Sequence, residues 1–344
     1  MLVAWPRIFA PTLALAACFA LPAGAAKIIE YQIPTSNSHP HGITLGPDGR
    51  LWFAEAYGPK LGAVTTDGAF TEHPVVDSSL PRWIASVPGS LLAFTKSNGA
   101  GLGFSTLAGT NNEFPAYVFP WGLVFGTDGR LWIADTQASK VTAFHWRANA
   151  PDTKEFPLSS PGSFVANGPD GNIWVTEEIG AKIASCNPDG NSCTEYPLPA
   201  GSYPEMITAG PDGNLWFAEF AGRIGRMTTS GGLTEFPLPV DSYPFGICAG
   251  PDGNIWFTEV EVGKIGRITK TGVITEYAVP TAGSEPYGIT AGPDGNIWFT
   301  ERKGNKIGKL QVFIPGDVND DGSVDVSDVF YLINFLFAGG PAPK

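Results

Sequence analysis

The sequence predicts an all-β fold: a seven-bladed β-propeller closed by its own N-terminal strand, followed by a short EF-hand-like loop–helix tail. Three observations predict it. A Pro-Asp-Gly turn leading into an apolar residue and Trp recurs along the chain. An acidic, aromatic-rich strand recurs seven times. The two ends of the array are complementary parts of one repeat.

The N-terminus comes first. Arg7 precedes an apolar run from Ile8 to Ala20, and Ala23-Gly24-Ala25 supplies small residues for cleavage, so residues 1–25 read as an export signal. The run is too short to span a bilayer. A second reading stands beside it: Leu15-Ala16-Ala17-Cys18 resembles a bacterial lipobox, which would leave Cys18 lipid-anchored. Both readings place a bacterial protein outside the cytoplasm, secreted or periplasmic, and no later segment reads as transmembrane.

The repeats follow. Trp52, Trp132, Trp174, Trp216, Trp256 and Trp298 are spaced by 40 or 42 residues, with one doubled gap of 80. Gly89-Ser90-Leu91-Leu92 fills that gap as a degenerate second repeat. Glu30, Glu72, Glu113, Glu155, Glu195, Glu235 and Glu276 mark the last strand of each unit and set the count at seven. Within one unit four strands are expected, as in Pro40-His41-Gly42-Ile43 for the first and Asn254–Glu259 for the second. Lys264–Ile268 exemplifies the third and Val273–Tyr277 the fourth. Four strands in about 40 residues is the length of a propeller blade. The 43 glycines and 31 prolines suit many tight turns, and only 16% of residues are charged. The mature chain starts on a fourth strand, Lys27–Tyr31, and the array ends on a third, Asn305–Lys309. Residues 27–312 can therefore close into a ring without an exposed edge.

Charge and cysteines narrow the function. A net charge of −12 argues against nucleic acid or an anionic membrane as partner. Cys186 and Cys193 flank the turn Asn187-Pro188-Asp189-Gly190 and are placed to form a disulfide in an oxidising compartment. Cys248 lies in an apolar strand and reads as a free thiol.

Pro-x-Gly-Ile-x-x-Gly-Pro-Asp-Gly-Asn-Ile-Trp-Phe-Thr-Glu followed by Lys-Ile-Gly-Arg resembles the streptogramin B lyases (virginiamycin B lyases) over residues 27–312. The resemblance implies a Mg2+-dependent elimination that opens a cyclic depsipeptide at its ester. It also implies metal glutamates at Glu285 and Glu301. At the family's general-base histidine this chain has Tyr287, and at its substrate histidine Phe245. A tyrosine titrating near 10 is a poor base at neutral pH, and phenylalanine moves no proton.

The same position in all seven repeats reads His41, Arg82, Trp121, Ser163, Glu205, Phe245 and Tyr287. First strands line a propeller's axis, so this varied ring is expected to face one channel mouth. Arg82, Trp121, Glu205, Phe245 and Tyr287 are its expected contacts to a small molecule, peptide or glycan. If chemistry is retained, His41, with Glu55 fourteen residues on, is an alternative base, and Tyr287 stands at the family's catalytic position. The acids ending the second strands (Glu55, Asp135, Glu177, Glu219, Glu259, Glu301) are near-uniform and read as mainly structural.

Residues 316–344 form the tail. Asp317, Asn319, Asp321, Ser323, Asp325 and Asp328 fall at Ca2+-ligand spacing around Gly322. With Val329–Ile333 following, the segment resembles one type I dockerin repeat. The resemblance implies Ca2+ and a cohesin-like or other protein partner.

Overall fold

The computed structural model describes residues 27–75, 80–97, 101–115, 119–145, 152–312 and 326–338. The segment expected to be an export signal, with Cys18, lies outside the described residues, as do Asp317, Asn319, Asp321, Ser323 and Asp325.

Among the described residues, 28 strands form seven four-stranded antiparallel sheets. Six sheets use consecutive strands. The seventh pairs the N-terminal strand Ile28–Gln32 with Lys306–Leu310 of the last blade, from Ile28 opposite Leu310 to Gln32 opposite Lys306. Asn305 locks this seam: its Oδ1 accepts from the backbone N and hydroxyl of Ser38, and its Nδ2 donates to the Thr35 carbonyl. Numbered from the first complete sheet, blade 1 begins at Pro40–Leu45 and blade 7 at Pro286–Ala291.

The core lies on the blade faces. The six repeat tryptophans are at most 1% exposed. Each indole N–H donates to the aspartate of its own Pro-Asp-Gly or Thr-Asp-Gly turn, as in Trp52 to Asp48 and Trp256 to Asp252. Most also stack on an outer-strand ring of the same blade, Trp216 on Phe236 at 5.5 Å. The outer-strand glutamates accept from third-strand lysines, Lys264 to Glu276 at 2.7 Å and Lys306 to Glu30 at 2.9 Å. Cys186 and Cys193 are opposite each other in register and form a disulfide, with Cα atoms 4.1 Å apart. Cys248 is free and half-buried.

A threonine relay joins some neighbouring blades. Thr258 Oγ1 accepts from Gly246 N and donates to the Tyr287 carbonyl of the next blade. Thr300 does the same across the closure, from Gly288 N to the His41 carbonyl at 2.7 Å. Beyond the ring, helix Val326–Ala338 presents Phe330, Ile333, Leu336 and Phe337 to solvent.

Candidate functional site at the channel mouth

The varied ring owes its orientation to a repeated irregularity. In blades 1, 2, 3, 5, 6 and 7 the pairing of first with second strand slips between the proline and the apolar residue three positions on, as between Pro286 and Ile289. His41, Arg82, Trp121, Glu205, Phe245 and Tyr287 sit in that slip. A bulge bends the strand and re-aims its side chain, here towards the axis. The residue before the strand's proline has positive φ in five blades, at His39, Leu80, Tyr203, Tyr243 and Glu285. Left-handed backbone is unfavourable for such residues by roughly 1 kcal/mol each, and its repetition marks the mouth as a strained rim.

The axis beneath the rim is filled. Phe245 and Tyr287 stack at 4.0 Å, and Trp83 reaches both at 6.0 Å from blade 2. Phe164 packs edge-on to Trp83 at 4.9 Å. Trp83 and Phe164 stand where four other blades keep the glycine of Pro-x-Gly, so two blades spend that position on a plug. In blade 7 the glycine is obligatory, because a Cβ on Gly288 would meet the His41 carbonyl at 2.4 Å.

Above the plug lies a cavity of about 460 Å3 lined by Trp121, Ser163, Glu205, Phe245 and Tyr287 together with Thr136, Glu178, Phe220, Val260, Glu261 and Arg302. Five ring positions are thus brought together over blades 3 to 7. Arg82 lies beside them, its guanidinium 5.6 Å over the Trp121 ring. His41 is not among the lining residues. It is 3% exposed, with Arg82 Nη1 3.3 Å from its Nε2 and the Tyr287 ring 4.9 Å away. Burial, then the Arg82 charge, lowers its pKa to about 2, so it stays neutral and is a very weak base.

Six of the eleven lining residues lie outside the expected ring. Thr136, Glu178, Phe220, Val260 and Arg302 each directly follow the near-uniform second-strand acid. A position that varies immediately after one that does not was the available signal.

The electrostatics are unequal across the pocket. Glu205 is 7% exposed and its carboxyl has no hydrogen-bond partner among the described residues; burial and then the nearby Glu178 raise its pKa to about 9. Burial likewise raises Glu178. Tyr287 is raised further above its usual value, chiefly by burial. Arg302 crosses the Tyr287 ring at 4.7 Å.

Glu285 and Glu301 face different neighbours. Glu285 is held ionised by Lys303 and by Arg302, whose Nη2 is 2.5 Å from Oε2. Glu301 is buried towards Ser284, Gly304 and the Glu30–Lys306 pair, both oxygens unpartnered, and burial raises its pKa to about 8. Glu55 and Glu259 repeat the same unpartnered burial in blades 1 and 6, so the position belongs to the scaffold. Among the described residues no group of three or more His, Cys, Asp or Glu is arranged to hold a metal ion. Glu285 turns to two cations and Glu301 to Ser284 and the Glu30–Lys306 pair, so the two carboxyls are not set up as a shared Mg2+ site, which needs converging oxygen ligands. For the tail, Asp328 falls in the described helix without a described side chain.

Comparison with known proteins gives a consistent relationship. The model of the Virginiamycin B lyase family matches residues 23–164 and 152–320. A curated virginiamycin B lyase from Bacillus licheniformis is 43% identical over 42 residues, an alignment spanning 12% of this chain and only 14% of that relative's length. A solved streptogramin B lyase is 32% identical, with a TM-score of 0.78 over 83% of this chain and 97% of that one. A catalytically inactive His-to-Ala virginiamycin B lyase from Staphylococcus aureus, solved with quinupristin, is 29% identical. Its TM-score is 0.78 over 84% of this chain and 100% of that one.

Proposed function

This chain belongs to the virginiamycin B lyase family, and we propose that it acts there as a binding propeller rather than as a lyase of the family type. Its site is the mouth cavity over blades 3 to 7, and its ligand a peptide or glycan small enough to enter that mouth. One observation carries the reading: Phe245 and Tyr287 replace the two histidines and stack on each other at 4.0 Å as part of the axial plug. Neither ring is available as a base at neutral pH, and of the two glutamates expected to hold Mg2+, Glu285 is engaged by Arg302 and Lys303 while Glu301 faces a different set of neighbours. Pockets of this kind, apolar walls with a few directed polar groups, suit ligand recognition.

The proposal includes two further parts. The N-terminal segment exports the protein to the periplasm or exterior, and the tail binds Ca2+ and presents its apolar helix to a cohesin-like or other protein partner. Helix Val326–Ala338, with Phe330 and Phe337 well exposed, supports the second part.

Quinupristin is the discriminating probe, since a related lyase was solved with it. Incubated with the purified protein and Mg2+, it is expected to remain cyclic by mass spectrometry. Panels of short peptides and oligosaccharides are expected to include saturable binders weakened about tenfold or more by Trp121→Ala. Linearisation that EDTA and Glu301→Gln both abolish would establish the lyase reading instead.

A further inference from the structure

Glu205 is the acidic residue of the ring, and the cavity leaves its carboxyl unanswered. The residue is 7% exposed and lines the cavity, and among the described residues nothing hydrogen-bonds to its carboxyl or forms an ion pair with it. Leaving a buried polar group unpaired costs about 1–3 kcal/mol. His41 and Arg82, by contrast, face each other, with Arg82 Nη1 3.3 Å from His41 Nε2.

The groups facing Glu205 across the cavity are Glu178, Glu261, Arg302 and Tyr287. Arg302 is the only cation among the described lining residues, and Glu285 already engages it. Three carboxyl groups therefore line one cavity with no uncommitted cation among the described lining residues. Phe220 and Phe245 supply apolar walls. An inorganic divalent ion would require converging ligands that are not arranged for it. An organic cation needs only one carboxylate, apolar walls and ring faces. The chain already uses this chemistry next door, laying guanidinium groups over Trp121 and Tyr287.

We propose that the cavity recognises a basic side chain of a peptide, its ammonium or guanidinium group meeting Glu205 and Glu178 while its alkyl stem lies against Phe220 and Phe245. This rests on the binding reading above and names the ligand's chemistry. Binding the cation draws the proton from Glu205, so the complex forms with proton release.

Ligand-observed NMR titration with N-acetyl-Gly-Lys-Gly-amide and its norleucine counterpart tests the assignment. The lysine peptide is expected to bind roughly tenfold or more tightly than the norleucine peptide at pH 8. Glu205→Gln is expected to remove that preference while leaving the thermal transition cooperative. Affinity of the native protein should rise from about pH 6 to about pH 9, and that of the Gln variant much less. Equal binding of the two peptides, or a lysine preference surviving Glu205→Gln, overturns the assignment. If neither tripeptide binds but neutral peptides or oligosaccharides do, the cation assignment fails and the binding reading stands. If none binds and quinupristin is opened, both fail.

Discussion

Asp252 shows how a single side chain sustains a blade. It accepts from the Trp256 indole at 2.9 Å and from Asn254 Nδ2 at 2.7 Å, tying the turn to the largest buried ring of its sheet. The tryptophan period was plain in the sequence, but its polar end was not, because Pro-Asp-Gly reads sufficiently as a turn signal. Asp252→Ala strands the indole N–H of a residue 1% exposed, so urea unfolding should show a loss of about 1–3 kcal/mol. Asp252→Asn keeps an acceptor and should lose less. Equal stability of all three proteins would mean that the indole needs no partner. The channel ring was legible for a similar reason: variation at a pseudo-equivalent position stands out against uniform neighbours. What remained hidden was direction. No spacing rule says that Glu285 turns to Arg302 and Lys303 while Glu301 turns outward, since that depends on which groups the folded blade brings near.

Among the elements, second and third strands read most clearly, because alternating apolar residues and the Lys-Ile-Gly-Arg pattern mark both. Their glycine is explained by packing: a Cβ on Gly266 would lie 2.1 Å from the Phe257 ring. The first strand of blade 4 is shorter than expected, Val165–Asn167, although Ser163 N and the Phe164 carbonyl still bond to the Thr176 backbone. The plug was not legible, since Trp83 and Phe164 look like ordinary strand residues until blades 2, 4, 6 and 7 meet at the axis. The tail helix Val326–Ala338 poses the opposite case, an element whose exposed side chains ask for a partner. If the preceding loop binds Ca2+, calorimetry on the full chain should give one tight site. A chain ending before residue 316 should give none, with the propeller's thermal transition intact. Undiminished binding by the shortened chain would relocate the ion.

At the scale of the whole molecule, stability should depend on pH in an unusual direction. Burial raises Glu55 and Glu301 to about 8, Glu205 to about 9 and Glu259 to about 7. Between about pH 5 and pH 9 the native chain therefore holds protons that the unfolded chain has released, so stability falls as pH rises. Carboxylates lowered by their hydrogen bonds and ion pairs, among them Glu30, Glu72 and Glu195, act oppositely. Their contribution is complete above the ordinary carboxylate range and is lost on further acidification. The melting temperature should peak in mildly acidic solution and decline towards pH 8.5; a flat or rising profile there would contradict the protonated glutamates. The seam between Ile28–Gln32 and Lys306–Leu310 has a consequence in time. Gln32 and Asn305 are 273 positions apart, so at about 5–20 residues per second the earliest-made strand waits roughly a quarter of a minute to a minute for its partner. Throughout synthesis the outermost edge of the last sheet is reserved for a segment already present, and that prior claimant limits which foreign strand can take its place.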